Sequence, residues 1–139
     1  MILKTLILFH SYTGKTKALA ERKAAELMAD IEEIKTVRRP SKFGAFVVGI
    51  PSSIGRKKAK IHPIKSSFDE YDKIVLMSPV WAGHTTPAVN SAIDCIPSGK
   101  RVEVIMVSSS GETDESADRI KALIYNRGCE VTDYTDVKA

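Results

Sequence analysis

Ser11, Thr13 and Thr16 surround Gly14 in a short turn, His10-Ser11-Tyr12-Thr13-Gly14-Lys15-Thr16, that follows the apolar run Leu6-Ile7-Leu8-Phe9. Three hydroxyls, one glycine and one lysine within six positions suit the capture of an anion. If the apolar run is a buried strand and the next segment a helix, the first helical amides have no intrahelical partner. The helix dipole then favours negative charge at that end. Gly14 lets the backbone close around the guest, and phosphate is the guest that best fits the donor set. Gly14-Lys15-Thr16 also ends like a nucleotide-triphosphate loop, but that motif requires glycine five positions before Gly14, where Phe9 stands. The G-x-G-x-x-G signature of a dinucleotide turn is absent as well.

The elements that must carry this turn can be read from hydrophobic period. Residues 2–9 form a strand. Residues 14–29 form a helix with Ala20, Ala24, Leu27, Met28 and Ile31 at helical spacing. Residues 31–37 suit a short polar strand at a sheet edge. Ser41 caps a short helix with Phe43, Phe46, Val47 and Ile50 on one face, ended or kinked by Pro51. Residues 55–63 read as a basic loop. Residues 73–78 are the clearest central strand. Thr86-Pro87 opens a helix with Val89, Ala92, Ile93 and Ile96 buried, and Pro97 closes it. Residues 101–108 are another strand. Glu112, Asp114 and Glu115 favour a helix start ahead of Ala117, Ile120, Leu123 and Ile124, with Gly128 as its C-terminal cap. Cys129 to Thr135 is a last strand. Five strands alternating with four helices imply an α/β fold with a parallel sheet, which binds ligands beyond the carboxyl ends of its strands.

Ser11-x-Thr13-Gly14-x-Thr16 after the first strand resembles the phosphate loop of flavodoxins. A second segment carries the same resemblance: Ser78-Pro79-Val80-Trp81-Ala82-Gly83-His84, at the end of the third strand and ahead of a proline-started helix. The resemblance implies a flavodoxin-like three-layer sandwich with strand order 2-1-3-4-5, one domain over residues 1–139, and FMN as cofactor. Its phosphate would lie on Ser11, Tyr12, Thr13, Gly14, Lys15 and Thr16. Pro79, Val80, Trp81, Ala82, Gly83 and His84 would pack against the ring, and Ser109, Ser110 and Gly111 would meet its polar edge. Stacking suits the chemistry, because an indole and a flavin are both flat and largely apolar. The competing reading has Trp81 packing a helix onto the sheet. His84 could tune the ring by charge or bond the helix start. Two departures stand out. No aromatic occurs between Trp81 and Tyr125 to cover a second ring face, and flavodoxins usually add a last helix about where this chain ends at Ala139. Without that helix, apolar surface would be left for a second copy to cover, which implies a homo-oligomer.

Charge and cysteine narrow the function further. The net charge is +4, whereas electron-carrying flavodoxins are typically acidic. No acid occurs from Ile34 through Phe68, a span holding Lys35, Arg38, Arg39, Lys42, Arg56, Lys57, Lys58, Lys60 and Lys65. This basic segment could steer an acidic redox partner. Basic and aromatic residues are not interleaved there as in single-strand binders, so nucleic acid is disfavoured. Cys95 and Cys129 read as buried apolar residues rather than a disulfide framework, and a cytoplasmic location follows. No apolar stretch has the roughly 20 residues of a membrane span. No metal-ligand spacing and no nucleophile elbow appear. The leading reading is therefore an FMN-dependent electron carrier. The alternatives are a flavin-dependent quinone or NAD(P)H oxidoreductase and a non-redox module that keeps the fold.

Overall fold

The computed structural model describes residues 4–11, 14–37, 60–80, 85–108 and 116–138. Five strands, β1 (Thr5–Phe9), β2 (Asp30–Glu33), β3 (Lys73–Pro79), β4 (Arg101–Ser108) and β5 (Glu130–Lys138), form one sheet in the order β2-β1-β3-β4-β5. Every adjacent pair is parallel. Three α-helices are described: α1 (Lys15–Leu27), α2 (Pro87–Ile93) and α3 (Ser116–Asn126). The helix expected after Ser41 lies outside the described residues. So do Glu112, Asp114 and Glu115, expected at the start of α3.

The central strands are apolar on both sides because both faces are covered by helices. Side chains alternate along a strand, so each strand feeds two cores. Leu6, Leu8, Ile74, Leu76, Val102, Val104 and Met106 face one core, with Ala88, Val89, Ala92 and Ile93 of α2 and Ile120 and Ile124 of α3. Ile7, Phe9, Val75, Met77, Ile105 and Val107 face the other, with Ala20 of α1. Leu6, Leu8, Ile74 and Leu76 are fully inaccessible, and burial of each such side chain stabilises the fold by about 1.5–3 kcal/mol.

α1 departs from its expected buried face. Ala20 is buried and Ala24 is partly buried, but Leu27 is 43% and Met28 93% exposed. The helix ends at Leu27, and Met28 turns into the left-handed region at φ 52, which swings its side chain off the helical face. Cys95, expected to be buried, is exposed, whereas Cys129 is buried; both are free thiols. Cys95 follows α2 in a turn whose buried positions are taken by Ile93 and Ile96.

The polar edge strand is shorter than the expected 31–37. Beyond Glu33 the chain leaves β1 and takes a new partner: Thr36 bridges antiparallel to Ile61. Val37 N–H donates to Lys60 O (2.9 Å) and His62 N–H to Lys35 O (2.8 Å). Past Pro63 the Glu32 carboxylate accepts from Lys65 N (2.6 Å) and Ser66 N (2.8 Å), and from the Ser66 hydroxyl. Residues 60–66 thus run along β2 and shield a sheet edge that would otherwise be open.

Candidate functional site

The sheet reverses its strand order at β1 and β3. Consecutive connections leave in opposite directions there, which is where open α/β sheets form a ligand crevice, beyond the carboxyl ends of their strands. Phe9 stands level with Met77, and Pro79 level with Val107. The turns after β1, β3 and β4 therefore emerge side by side. His10 N–H donates to Met77 O (3.1 Å), and Val80 N–H donates to Val107 O (3.1 Å), so the first two turns start on hydrogen bonds to the neighbouring strand.

The turn after β1 is built around Gly14, which caps α1 at φ +95. Residues with a β-carbon rarely adopt that conformation. Gly14 N–H donates to Ser11 Oγ (3.0 Å), and Gly14 O accepts from Ala18 N (3.1 Å). Ser11 thereby stabilises the turn through its acceptor oxygen. Lys15 and Gly14 are exposed, Ser11 is half-buried and Thr16 is 2% exposed. The first amides of α1 and the exposed lysine are groups of the type that favour an anion at a helix start.

The turn after β3 is fixed at both ends. Ser78 Oγ donates to Pro79 O (2.8 Å) and accepts from Thr86 N (3.3 Å). Thr86 caps α2, its hydroxyl oxygen accepting from Val89 N (3.4 Å), with Pro87 in the first turn. Thr85 Oγ1 lies 2.6 Å from Asn90 Oδ1. Pro79 and Val80 are half-buried, and Val80 packs against the core shared with α2 and α3. Among the expected cofactor contacts, Ser11, Gly14, Lys15, Thr16, Pro79 and Val80 are placed at this one end of the sheet. Tyr12, Thr13, Trp81, Ala82, Gly83, His84, Ser109, Ser110 and Gly111 lie outside the described residues. Sequence reading passed over His10, whose Nδ1 lies 2.7 Å from Thr86 Oγ1. Burial pushes the His10 pKa below its ordinary value, which favours the neutral ring.

Solved structures share this fold. A flavoprotein from Lactobacillus acidophilus NCFM, crystallised in complex with FMN, superposes with a TM-score of 0.77 at 22% identity, covering 96% of this chain and 92% of its own. The fold is flavodoxin-like. Oxidised flavodoxin 2 from Bacillus cereus matches with a TM-score of 0.57 at 17% identity, over 98% of this chain and 84% of its own. A Fusobacterium nucleatum flavodoxin mutant bound to flavin mononucleotide matches with a TM-score of 0.56 at 14% identity, over 94% and 69% respectively. No family model matches the chain, and comparison with curated protein sequences finds no match. The strand order expected from sequence is the one observed, and the flavodoxin-like fold places the β1 and β3 turns at its switch point.

Two further surfaces flank the crevice. At the β2 side, Ile34 N–H donates to Phe9 O (2.6 Å). The ribbon that begins there carries exposed Lys35, Lys60, His62 and Lys65. On the α1 face, Met77, Ile105 and Val107 are 5% exposed or less. A groove of about 270 Å³ lies there between Leu19, Arg22 and Glu26 of α1 and Ile105, Thr135 and Val137 of the sheet. Among the described residues no helix is long and apolar enough to cross a membrane.

Proposed function

We propose that this protein binds FMN and carries electrons between partner proteins. The phosphate is held by Ser11, Tyr12, Thr13, Gly14, Lys15 and Thr16, and the ring by Pro79, Val80, Trp81, Ala82, Gly83 and His84 with Ser109, Ser110 and Gly111. One observation carries the reading: the Ser11-capped turn, with Gly14 at φ +95, opens α1 beside the β3 turn at the strand-order switch. The residues described there fit a phosphate by type, since they offer helix-start amides, a lysine and no carboxylate. The flavoprotein and flavodoxin that share the fold with bound FMN support the cofactor's identity. Bound FMN supplies the redox chemistry; the protein's part is to hold it, orient it and set its environment.

The exposed basic ribbon at Lys35, Lys60 and Lys65 supports an acidic redox partner, because it lies at the same end of the sheet as the phosphate turn. The free thiols Cys95 and Cys129 support a reducing, cytoplasmic compartment. The groove beside α1, together with exposed Leu27, Met28 and Ile31, supports self-association. A protein that sediments as a monomer at micromolar concentration would rule that assembly out.

The deciding experiment is absorption of the purified protein, followed by titration of the apoprotein with FMN. A yellow protein, or stoichiometric quenching of flavin fluorescence, is expected. A colourless protein that cannot be reconstituted would end the redox reading. Steady NAD(P)H oxidation with a quinone acceptor would favour a self-contained oxidoreductase over a carrier.

A further inference from the structure

The two edges of the sheet carry opposite charge. At the β2 edge, Lys35, Lys60 and Lys65 are exposed on the ribbon, and no acid occurs from Ile34 through Phe68. Of the acids on β2 itself, Asp30 is bonded to Tyr71, Glu32 to the amides of residues 65 and 66, and Glu33 is half-buried. At the other edge, β5 presents Glu130, Asp133 and Asp136, all exposed, with Lys138 as its one basic residue. β5 ends the strand order, and no described strand lies beyond it. Four strand spacings separate β2 from β5, a distance of roughly 19 Å. The two charged edges therefore face away from each other on one molecule.

Neither set of charges supports the fold beneath it. The register puts Asp133 directly opposite Glu103, and like charges in that relation cost stability. Lys73 pairs with Glu103 (2.9 Å) from the far side of β4. On the ribbon, Thr36 stands opposite Ile61, so alternation puts Lys35 and Lys60 on one face as like-charged neighbours. Charge on an exposed edge commonly keeps like edges apart. Two β5 edges repel each other, and so do two ribbons. The same charges attract when a ribbon meets a β5 edge.

We infer that a second copy of this chain docks its β5 edge on the basic ribbon of the first, with Glu130 and Asp133 meeting Lys35 and Lys60. The contact is head-to-tail. Each copy keeps one edge free, so addition continues rather than closing at a pair. A bulge in β5 beside Val102 and Glu103, and Pro63 on the ribbon, both interrupt a backbone ladder. The attraction therefore comes from side chains rather than from a continued sheet. This contact is separate from the apolar groove beside α1, and it needs no flavin.

Sedimentation of the full chain across protein concentration and salt tests this. At about 0.02 M salt, where exposed charges are least screened, the mean mass should rise past that of a dimer as concentration increases. At about 0.5 M salt, association should weaken by on the order of tenfold or more. Lys35→Glu/Lys60→Glu turns the ribbon acidic like β5, and Glu130→Lys/Asp133→Lys turns β5 basic like the ribbon. Each variant alone should stay monomeric at low salt. An equimolar mixture of the two should associate again, because each reversed edge finds its complement on the other variant. Circular dichroism establishes that each variant is folded, and Lys60→Glu with Asp133→Lys supplies a milder pair if one is not. Wild type that stays monomeric at low salt would overturn the inference. So would a mass that stops at the dimer, or folded variants that do not recombine on mixing. Association that salt leaves unchanged would overturn it too, and would assign assembly to the apolar groove. None of these outcomes bears on FMN binding, which absorption reads separately.

Discussion

Tyr71 donates its phenolic hydrogen to Asp30 Oδ2 at 2.6 Å, joining the entry of β3 to the first residue of β2. β1 lies between those strands, and Asp72 N and Lys73 N both donate to Lys4 O beneath it. The bond thus closes the amino end of the sheet, opposite the crevice. The neighbouring carboxylate, first by its hydrogen bond and then with burial, pushes the Tyr71 pKa up to about 12 from 10.0. Folded protein keeps the phenolic proton where unfolded chain has lost it. The stabilisation is therefore complete below pH 10 and is lost as pH rises through about 12. Tyr71→Phe should cost about 1 kcal/mol at neutral pH and flatten that alkaline decline, as read by urea unfolding across the range. FMN affinity should stay unchanged, because the bond is at the far end of the strands.

Gly128 makes a sharper prediction. It ends α3 at φ +79, and a β-carbon placed there would lie 2.8 Å from Ser98 Cβ. Its N–H donates to Tyr125 O, and its carbonyl accepts from Gly99 N (2.8 Å), so neither side of the contact is free to retreat. Gly128→Ala should destabilise by about 1–2 kcal/mol from the left-handed backbone alone, plus the collision. Adding Ser98→Gly should recover the collision part and leave the backbone part. Equal destabilisation of the single and double variants would show that the Ser98 contact is easily relieved.

Glu32 holds residues 65 and 66 against the sheet edge through two backbone amides and one hydroxyl. Glu32→Ala should free those amides to exchange with solvent, with protection falling by roughly 1–3 kcal/mol for each unmet bond. Hydrogen exchange at Lys65 and Ser66 reads this directly. Glu32→Gln, which keeps an acceptor oxygen, should fall between the two. Unchanged protection in the alanine variant would mean that the Thr36–Ile61 bridge alone holds the segment.

Local chemistry explains which features the sequence displayed. Unbroken runs such as Ile74–Met77 and Val104–Val107 announced buried parallel strands, because both faces are covered and no alternation survives. Thr86-Pro87 and Gly128 announced helix ends, since each satisfies a requirement within a few residues. The features that stayed hidden depend on distant partners. Leu27 and Met28 continue the helical period of α1, but the chain turns at Met28 before the period can be used. Thr36 and Ile61 pair across an intervening segment that carries no strand pattern. The role of His10 gave no local signal, because its partner Thr86 lies 76 positions away. One threonine serving both a helix and a histidine is visible only in three dimensions.

Charge on the ribbon beside the crevice should control association rather than cofactor binding. Lys35, Lys60 and Lys65 are exposed, and the ribbon leaves β2 where Ile34 meets Phe9. Exposed charges act on the rate at which an oppositely charged partner arrives, and salt screens them over about 10 Å at 0.1 M. Replacing all three lysines with glutamate should slow electron exchange with an acidic acceptor protein by about tenfold or more at low salt. At high salt the variant and the wild type should converge. FMN affinity should change far less, because in the proposed site the phosphate lies on the turn at residues 11–16 and not on these side chains. Stopped-flow reduction of an acidic acceptor across ionic strength checks the claim. Equal rates for both proteins at low salt would place the partner elsewhere on the molecule, with the exposed edge strand β5 at the opposite side of the sheet as the next surface to test.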